Sequence, residues 1–295
     1  MVGYFGISFG MYTLLLISSF FFQGLFCQAS GEGSPVVVVH GGPGLSQDYL
    51  LPQMEKLSDH HKVIFYDQRG CGRSAGESED TPITMKTYLD DLDALISQLG
   101  KEKVSLVGHS WGGYIAMRYA LEHPEKVDKL VLSNSMPACS QDLQLLFDNF
   151  VKLMAPDLMK LDEIKNTNAF KAGDPEVHKA YYRLFFSKYF HNPDMIEQLN
   201  LPFTADSALK SISTGDTLRN EVFFTPYDYR SQLGALSMPA LIIHGVSDVI
   251  PEAVSETFYH SIPDSKLVVM PECGHFPYIE KPKSYFEILE DFLLS

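Results

Sequence analysis

Short apolar runs alternate along the chain with longer amphipathic segments. Six of these runs are apolar at nearly every position, which predicts strands buried on both faces of a parallel sheet. They are PVVVVH (35–40), KVIFYD (62–67), KVSLVG (103–108), KLVLSN (129–134), ALIIHG (240–245) and KLVVMP (266–271). The segments 87–100 and 112–124 have helical spacing and end at Gly100 and Pro124. Strands that alternate with helices predict a doubly wound, mostly parallel α/β sheet.

The alternation stops between residues 137 and 234. This segment is helical in character and rich in aromatic residues, as in AYYRLFFSKYF (180–190). A connection of roughly 100 residues is too long for a loop within a compact domain. We therefore predict a helical cap (137–234) inserted into a core formed by residues 30–136 and 235–295. Ligands of open α/β sheets bind at the carboxyl ends of the strands, where such a cap would lie.

The N-terminal segment is apolar, and its first charged residue is Glu32. MYTLLLISSFFF (11–22) has the length of a signal-peptide core, and Cys27 and Ala29 suit a cut before Ser30. No Lys or Arg precedes this core, which is atypical of a signal. We expect residues 1–29 to be a signal peptide, which would place the protein outside the cytosol. A membrane anchor, a buried strand pair and a wrongly assigned start are the alternatives, and they would leave the protein membrane-anchored or cytoplasmic.

Charge and cysteine content narrow the classes of partner. The chain has 23 Lys and Arg against 37 Asp and Glu, a net charge of −14. Nucleic acid and anionic membrane surfaces are therefore poor partners, and membrane contact is expected only if the leader stays uncleaved. The four cysteines form neither a disulfide framework nor a zinc-type spacing, so we expect no metal.

The stretch GHSWG (108–112) has the pattern G-x-S-x-G and lies directly between a predicted strand and a predicted helix. This is the context of a nucleophile elbow, in which a sharp turn holds the serine in strained dihedrals. The flanking glycines are needed because a Cβ there would collide with neighbouring chain. A tight glycine-rich turn with an idle serine is the alternative, but the position between strand and helix favours Ser110 as a nucleophile.

A serine nucleophile needs a base and an acid that orients the base. Asp248 follows the predicted strand 240–245, and His275 follows the predicted strand 266–271. Taken singly, Asp248 is typical of a turn or helix cap and His275 of a solvated loop. Because both follow strands in the chain order serine, acid, histidine, we predict the catalytic triad Ser110, Asp248 and His275.

The motif HGGPG (40–44) directly follows the first predicted core strand. A tetrahedral intermediate needs two N–H donors for its oxyanion. We predict that the N–H groups of Gly42 and Trp111 form this oxyanion hole, whereas a plain Gly-Pro turn would explain the composition but not the position. His40 and His109 are expected to orient loops through hydrogen bonds.

Together, HGGPG, YDQRGCGRS (66–74) and GHSWGG resemble the proline iminopeptidase family of α/β-hydrolases, from about Ser34 to Leu294. The resemblance implies the α/β-hydrolase fold. It also implies that no metal or other cofactor is needed and that the substrate is a small peptide, whose N-terminal residue, often proline, is released through an acyl-enzyme. An esterase or lactone hydrolase on the same scaffold is the alternative within enzymes, and a non-catalytic ligand-binding relative is the alternative outside them.

Three further expectations follow from this resemblance. The family binds the substrate's α-amino group with acidic cap residues, for which Glu221 and Asp216 are chosen here. Either residue, like nearby Asp228, could instead be a solvated loop charge. Asp67 and Arg69 are expected to form a structural ion pair. Finally, family members carry two antiparallel strands before HGGPG, and a cut before Ser30 would leave the edge of the sheet bare.

Overall fold

Eight strands form one sheet in the computed structural model, which describes residues 18–76 and 81–295. The strands are β1 (Ser18–Phe22), β2 (Leu25–Ser30), β3 (Pro35–Val39), β4 (Lys62–Tyr66), β5 (Val104–His109), β6 (Val127–Ser133), β7 (Ala240–Gly245) and β8 (Ser265–Met270). Their order across the sheet is β1-β2-β4-β3-β5-β6-β7-β8. The pairs β1–β2 and β2–β4 are antiparallel, and all others are parallel. The predicted doubly wound, mostly parallel sheet is confirmed.

Helices follow the strands and fill the long connection. They are α1 (Met85–Gln98), α2 (Trp111–Glu122), α3 (Ser140–Met154), α4 (Leu158–Asn166), α5 (Asn168–Lys171), α6 (Pro175–Ser187), α7 (Ala205–Phe223), α8 (Arg230–Leu233), α9 (Glu252–Ser261), α10 (Pro277–Glu280) and α11 (Pro282–Leu294). Every residue of β3, β5 and β7 is buried, as it must be when both faces of a parallel sheet are covered.

Local chemistry explains where several helices begin and end. The Thr84 side chain accepts a hydrogen bond from the Thr87 N–H and caps α1, which stops before Gly100, a residue with φ of +63°. Asp174 caps α6 in the same way. Helix α2 is different because it begins immediately after the last residues of β5, with only Ser110 between them.

The connection between β6 and β7, all of which the structure describes, contains α3 to α8 and no strand. It is held to the loops at the carboxyl ends of the strands. The Tyr189 carbonyl accepts the His275 N–H (2.7 Å), and Thr214 Oγ1 donates to the Gly70 carbonyl (3.1 Å). The backbone of Ser211 lies so close to Gly44 that a Cβ there would overlap it. The helical segment therefore covers the edge of the sheet where a ligand of an α/β fold binds.

The second half of the apolar leader is part of the sheet. Strands β1 and β2 form a hairpin, and β2 pairs with β4. Leu25 and Cys27 are fully buried. The strand pair that the resemblance expects before HGGPG is thus present, and nothing in the described residues supports a cut before Ser30, which would remove both strands.

The first part of the apolar run 11–22 lies outside the described residues. Among the helices of the described part of the chain, none is long and apolar enough to cross a bilayer. The expected localisation outside the cytosol stays a prediction.

Candidate active site

Ser110 stands at a strained turn between β5 and α2. Its φ of 57° and ψ of −121° are rare for a residue with a side chain. A Cβ on Gly108 would lie 2.5 Å from the Gly112 carbonyl oxygen, and a Cβ on Gly112 would overlap the backbone of Val39. The two glycines are therefore required by the close approach of neighbouring chain, and they allow a turn that leaves Ser110 half-buried at the edge of the sheet.

The backbone of Ser110 is fixed by the end of the neighbouring strand. Its N–H donates to the Ser133 carbonyl (3.0 Å), and its carbonyl accepts the Met136 N–H (3.1 Å). On the other side, a Cβ on Gly41 would lie 2.9 Å from the Ser110 Cβ, so the HGGPG loop lies directly against the serine. The strained turn is held in place by hydrogen bonds to Ser133, the last residue of β6, and to Met136 beyond it, and by this contact.

Asp248 and His275 are joined as the predicted triad requires. The His275 Nδ1 lies 2.8 and 3.0 Å from the two carboxylate oxygens of Asp248. The carboxylate side chain is fully buried, and the histidine side chain is 3% exposed. Burial opposes ionisation of Asp248, but the charge and hydrogen bond of His275 outweigh it and hold the pKa of Asp248 below its usual range. An ionised Asp248 keeps the proton on Nδ1, which leaves Nε2 to act as a base.

A residue missed by the sequence analysis supports this pair. Asn134 directly follows β6 and is fully buried, with φ of 49°. Its Nδ2 donates to Asp248 (2.7 Å) and to the Gly274 carbonyl next to His275 (3.2 Å). It thus holds the acid and the histidine loop together. The signal available in the sequence is a polar side chain at the carboxyl end of a core strand, where Asn134 ends the run KLVLSN.

The residue that precedes Ser110 contacts the base of the predicted triad. Across the described residues no hydrogen bond joins Ser110 to His275. The ring of His109, the residue before the serine, lies 4.8 Å from the ring of His275, centroid to centroid. In hydrolases without substrate the hydrogen bond between nucleophile and base is often long and shortens on binding.

The predicted oxyanion donors are free to bind a ligand. Among the described residues, the N–H groups of Gly42 and Trp111 donate to no acceptor. The N–H of Trp111 belongs to the first residue of α2, where the positive end of the helix dipole favours an anion. Gly42 has φ of +134°, a conformation that only glycine adopts without strain. Trp111 directly follows Ser110, and the loop that carries Gly42 lies against Ser110 through Gly41.

His40 and His109 hold the loops around the serine and are neutral. The His40 ring lies between the Gly41 carbonyl (2.8 Å from Nδ1) and the Gln68 N–H (2.9 Å from Nε2). The His109 ring lies between the Tyr49 hydroxyl and the His275 carbonyl, each at 2.7 Å. Burial lowers the pKa of His40 to about 4 and of His109 to about 3.

The predicted amine-binding acids of the cap are not buried. Glu221 is exposed, and its carboxylate accepts the Met85 N–H at the start of α1 (3.0 Å). Asp216 is exposed and pairs with Arg219. No contact within the described residues joins either acid to the predicted triad. Neither acid is buried and each carboxylate already has a partner, so the binding of a substrate amine by Glu221 or Asp216 stays a prediction.

The prediction of an ion pair between Asp67 and Arg69 is wrong. Asp67 is fully buried and accepts hydrogen bonds from the Arg73 side chain (2.9 Å) and the Gln47 N–H (2.9 Å). Arg69 instead pairs with Asp91 of α1, at 2.6 Å. Each charge braces the loop against a different element, so the structural role holds while the partners differ.

The described part of the chain brings together no group of three His, Cys, Asp or Glu side chains that could hold a metal ion. Its four cysteines are buried and form no disulfide with one another.

Comparisons with known proteins identify the fold and the family of the chain. A family model described as alpha/beta hydrolase fold matches residues 34–282. The proline iminopeptidase of Lactobacillus delbrueckii subsp. bulgaricus is 30% identical over 92% of this chain and 94% of its own. The crystal structure of proline iminopeptidase from Mycobacterium smegmatis superposes with a TM-score of 0.69 at 23% identity, covering 94% of this chain and 97% of that one.

An esterase also resembles the chain. The thermophilic esterase from Thermogutta terrifontis superposes with a TM-score of 0.63 at 27% identity, covering 91% of this chain and 92% of its own. The family match nonetheless spans most of the chain, and the iminopeptidase relative is matched over nearly its whole length. The chain belongs to the α/β-hydrolase fold family and, within it, to the proline iminopeptidase family.

Proposed function

We propose that the protein is a serine hydrolase in which Ser110 is the nucleophile, His275 the general base and Asp248 the acid that orients it. The observation that carries this proposal is the buried carboxylate of Asp248 on Nδ1 of His275, whose ring packs against His109, the residue before the serine at the strand-to-helix elbow. A carboxylate that holds one nitrogen of an imidazole leaves the other nitrogen as a base, which a purely structural ion pair would not need.

The reaction proceeds in two stages. The Ser110 oxygen attacks the substrate carbonyl while its proton passes to Nε2 of His275, and the N–H groups of Gly42 and Trp111 bind the resulting oxyanion. The tetrahedral intermediate then collapses: the bond to the leaving group breaks, and that group takes the proton from His275. In the second stage His275 takes a proton from a water molecule, whose oxygen attacks the acyl-enzyme; the bond to the Ser110 oxygen then breaks, that oxygen takes the proton from His275, and the acid is released.

We further propose that the substrate is a short peptide from which an N-terminal residue, proline or one similar to it, is released. The match to relatives named proline iminopeptidase over nine-tenths of both chains supports this proposal. A free α-ammonium group would need a carboxylate, and Glu221 or Asp216 would have to leave its present partner to supply it.

That requirement makes a carboxylic ester hydrolase the second candidate. Glu221 and Asp216 are exposed, so an uncharged acyl group would enter the site without leaving either carboxylate buried and unpaired. A non-catalytic relative is disfavoured because serine, acid and histidine are all present at the site.

A fluorophosphonate probe tests the proposed serine hydrolase mechanism, and three substrates test the proposed substrate class. The probe should label the native protein and not the Ser110→Ala variant, since only an activated serine reacts with it. Proline arylamide, N-acetylproline arylamide and p-nitrophenyl acetate then separate the two candidates. An aminopeptidase cuts the first arylamide at least tenfold faster than the second. Equal rates on the two arylamides would favour the esterase, and an unlabelled native protein would refute the serine hydrolase.

A further inference from the structure

Tyr49 lies just beyond the HGGPG loop, in a 3₁₀-helix at Gln47–Leu50. The residue is 2% exposed, and its hydroxyl sits between two segments of the active site. It accepts the Gly41 N–H at 2.6 Å and lies 2.7 Å from Nδ1 of His109. A single hydroxyl therefore connects the oxyanion loop to the residue that precedes Ser110.

The direction of each hydrogen bond can be assigned. His109 Nε2 lies 2.7 Å from the carbonyl oxygen of His275, which can only accept. Nε2 must then carry the proton. Because burial lowers the pKa of His109 to about 3, the ring is neutral and its Nδ1 is an acceptor. The Tyr49 hydroxyl consequently donates to His109 and accepts from Gly41.

At one end, this chain of hydrogen bonds fixes the orientation of the peptide groups in the oxyanion loop. Tyr49 holds the N–H of Gly41, and His40 donates to the carbonyl of the same residue at 2.8 Å. The Gly41 carbonyl belongs to the peptide group that also carries the Gly42 N–H. In a planar trans peptide the carbonyl and N–H point in opposite directions, so fixing the carbonyl aims the N–H. Both peptide groups that flank Gly41 are thereby fixed.

At the other end, the chain of hydrogen bonds fixes the position of the His275 backbone, which carries the proposed base. The His275 carbonyl accepts from His109, and the His275 N–H donates to the Tyr189 carbonyl at 2.7 Å. Aromatic rings surround the His109 ring and limit its rotation: Phe276 lies 5.7 Å away and Tyr278 5.5 Å away, centroid to centroid. The backbone that carries the imidazole of His275 is held from two sides.

We propose that Tyr49 and His109 are positioning residues that hold the oxyanion donor of Gly42 and the imidazole of His275 in register on either side of Ser110. This inference rests on the proposed serine hydrolase function. Neither side chain needs to touch substrate, since each acts through the loop to which it is bonded. Removing the hydroxyl would leave the Gly41 N–H and His109 Nδ1 buried without a partner, which favours rearrangement of both loops.

The Tyr49→Phe variant tests the inference, with Tyr119→Phe as the matched control. Tyr119 is also buried, and its phenylalanine variant loses one hydrogen bond, to Asp93 (2.9 Å), where Tyr49→Phe loses two; Tyr119 lies near the far end of α2. We expect Tyr49→Phe to lower kcat by about 10- to 100-fold with KM changed less than about twofold, since oxyanion donors act in the transition state. Tyr119→Phe should keep the native kcat.

A pair of substrates separates positioning from general destabilisation. An ester and its thionoester place oxygen and sulfur, respectively, in the oxyanion hole, whose donors are spaced for oxygen. If Tyr49→Phe displaces the Gly42 N–H, the rate on the ester should fall several-fold more than the rate on the thionoester. An unchanged ratio, or an equal loss in Tyr119→Phe, would overturn the inference.

His109 variants keep the inference testable should Tyr49→Phe fail to fold. Glutamine can still accept from Tyr49 and donate to the His275 carbonyl, whereas leucine can do neither. His109→Gln should therefore retain most of kcat, and His109→Leu should lose as much as Tyr49→Phe. Equal kcat values for the two variants would refute the role of the hydrogen bonds. Fluorophosphonate labelling of the native protein is measured first, because its absence would refute the serine hydrolase function rather than this inference.

Discussion

Acid should destabilise this protein steeply because two histidines beside the active site are buried in the neutral form. Burial lowers the pKa of His40 to about 4 and of His109 to about 3, from an ordinary value of 6.5. In the unfolded chain both rings take up a proton as the pH falls through 6.5, whereas in the folded protein they stay neutral. The unfolded state therefore binds more protons, and the free energy of unfolding must decrease as the pH falls.

The size of the loss in unfolding free energy follows from the linkage between proton binding and folding. Each such histidine removes up to about 1.4 kcal/mol of stability per pH unit between the unfolded and the folded pKa. At pH 5 the two together would remove about 4 kcal/mol, a large part of the 5 to 15 kcal/mol of a typical protein. Burial also lowers the pKa of His61 and His244, which adds to the effect. The loss is complete only below the folded pKa values, near pH 3 to 4.

Other titrating groups contribute, so the comparison must isolate one histidine. Burial raises the pKa of several carboxyl groups, among them Glu55 and Glu280, and these stabilise the fold as the pH falls. Urea unfolding at 25 °C, at pH values from 7 to 4.5, should be measured for the native protein and for His109→Gln. The variant lacks only the titration of His109, and every other group is common to both proteins.

Between pH 5.5 and 4.5 the slope of unfolding free energy against pH should be smaller in His109→Gln by about 1.4 kcal/mol per pH unit. Parallel curves for the two proteins would refute the buried neutral state of His109. They would also refute the assignment of hydrogen-bond directions through Tyr49, which requires a neutral ring.

Four further predictions concern Ser110, Asn134, the strand pair at the edge of the sheet, and Glu221 of the cap. Ser110→Ala should abolish hydrolysis and leave the circular dichroism spectrum unchanged; residual native activity would refute the nucleophile. Asn134→Ala should lower kcat about tenfold, since a hydrogen bond to a charged group contributes about 1.5 to 3 kcal/mol, and an unchanged rate would show that Asp248 is positioned without it. Deleting residues 18–29 removes the fully buried Leu25 and exposes the edge of β4, so the shortened protein should be insoluble and inactive. A soluble, active deletion variant would contradict this expectation. Glu221→Gln should raise KM for proline arylamide at least tenfold if Glu221 leaves Met85 to bind the amine, and acetate ester hydrolysis serves as the control.

The order of strands and helices was readable from the sequence because burial and backbone conformation leave local signatures. Runs such as PVVVVH are apolar on both faces since helices cover both faces of the sheet. The glycines around Ser110 reflect the close approach of Val39 and Gly112. The candidate acid and base could be chosen because the fold presents them after successive strands, as Asp248 and His275 are. These properties depend on neighbours in sequence or on chain order alone.

Side-chain partners were decided only by the tertiary structure. Asp67 and Arg69 are two residues apart, yet each pairs with a different residue, and Glu221 accepts a hydrogen bond from Met85, distant in the chain. Tyr49 shows the same limit, because its hydroxyl bonds to His109, which lies 60 positions further along the chain. The direction of a side chain follows from how whole elements pack, and no periodicity or motif along the chain records that packing. The hydrogen-bond and ion-pair partners of these charged groups and of this hydroxyl are therefore known only from the tertiary structure.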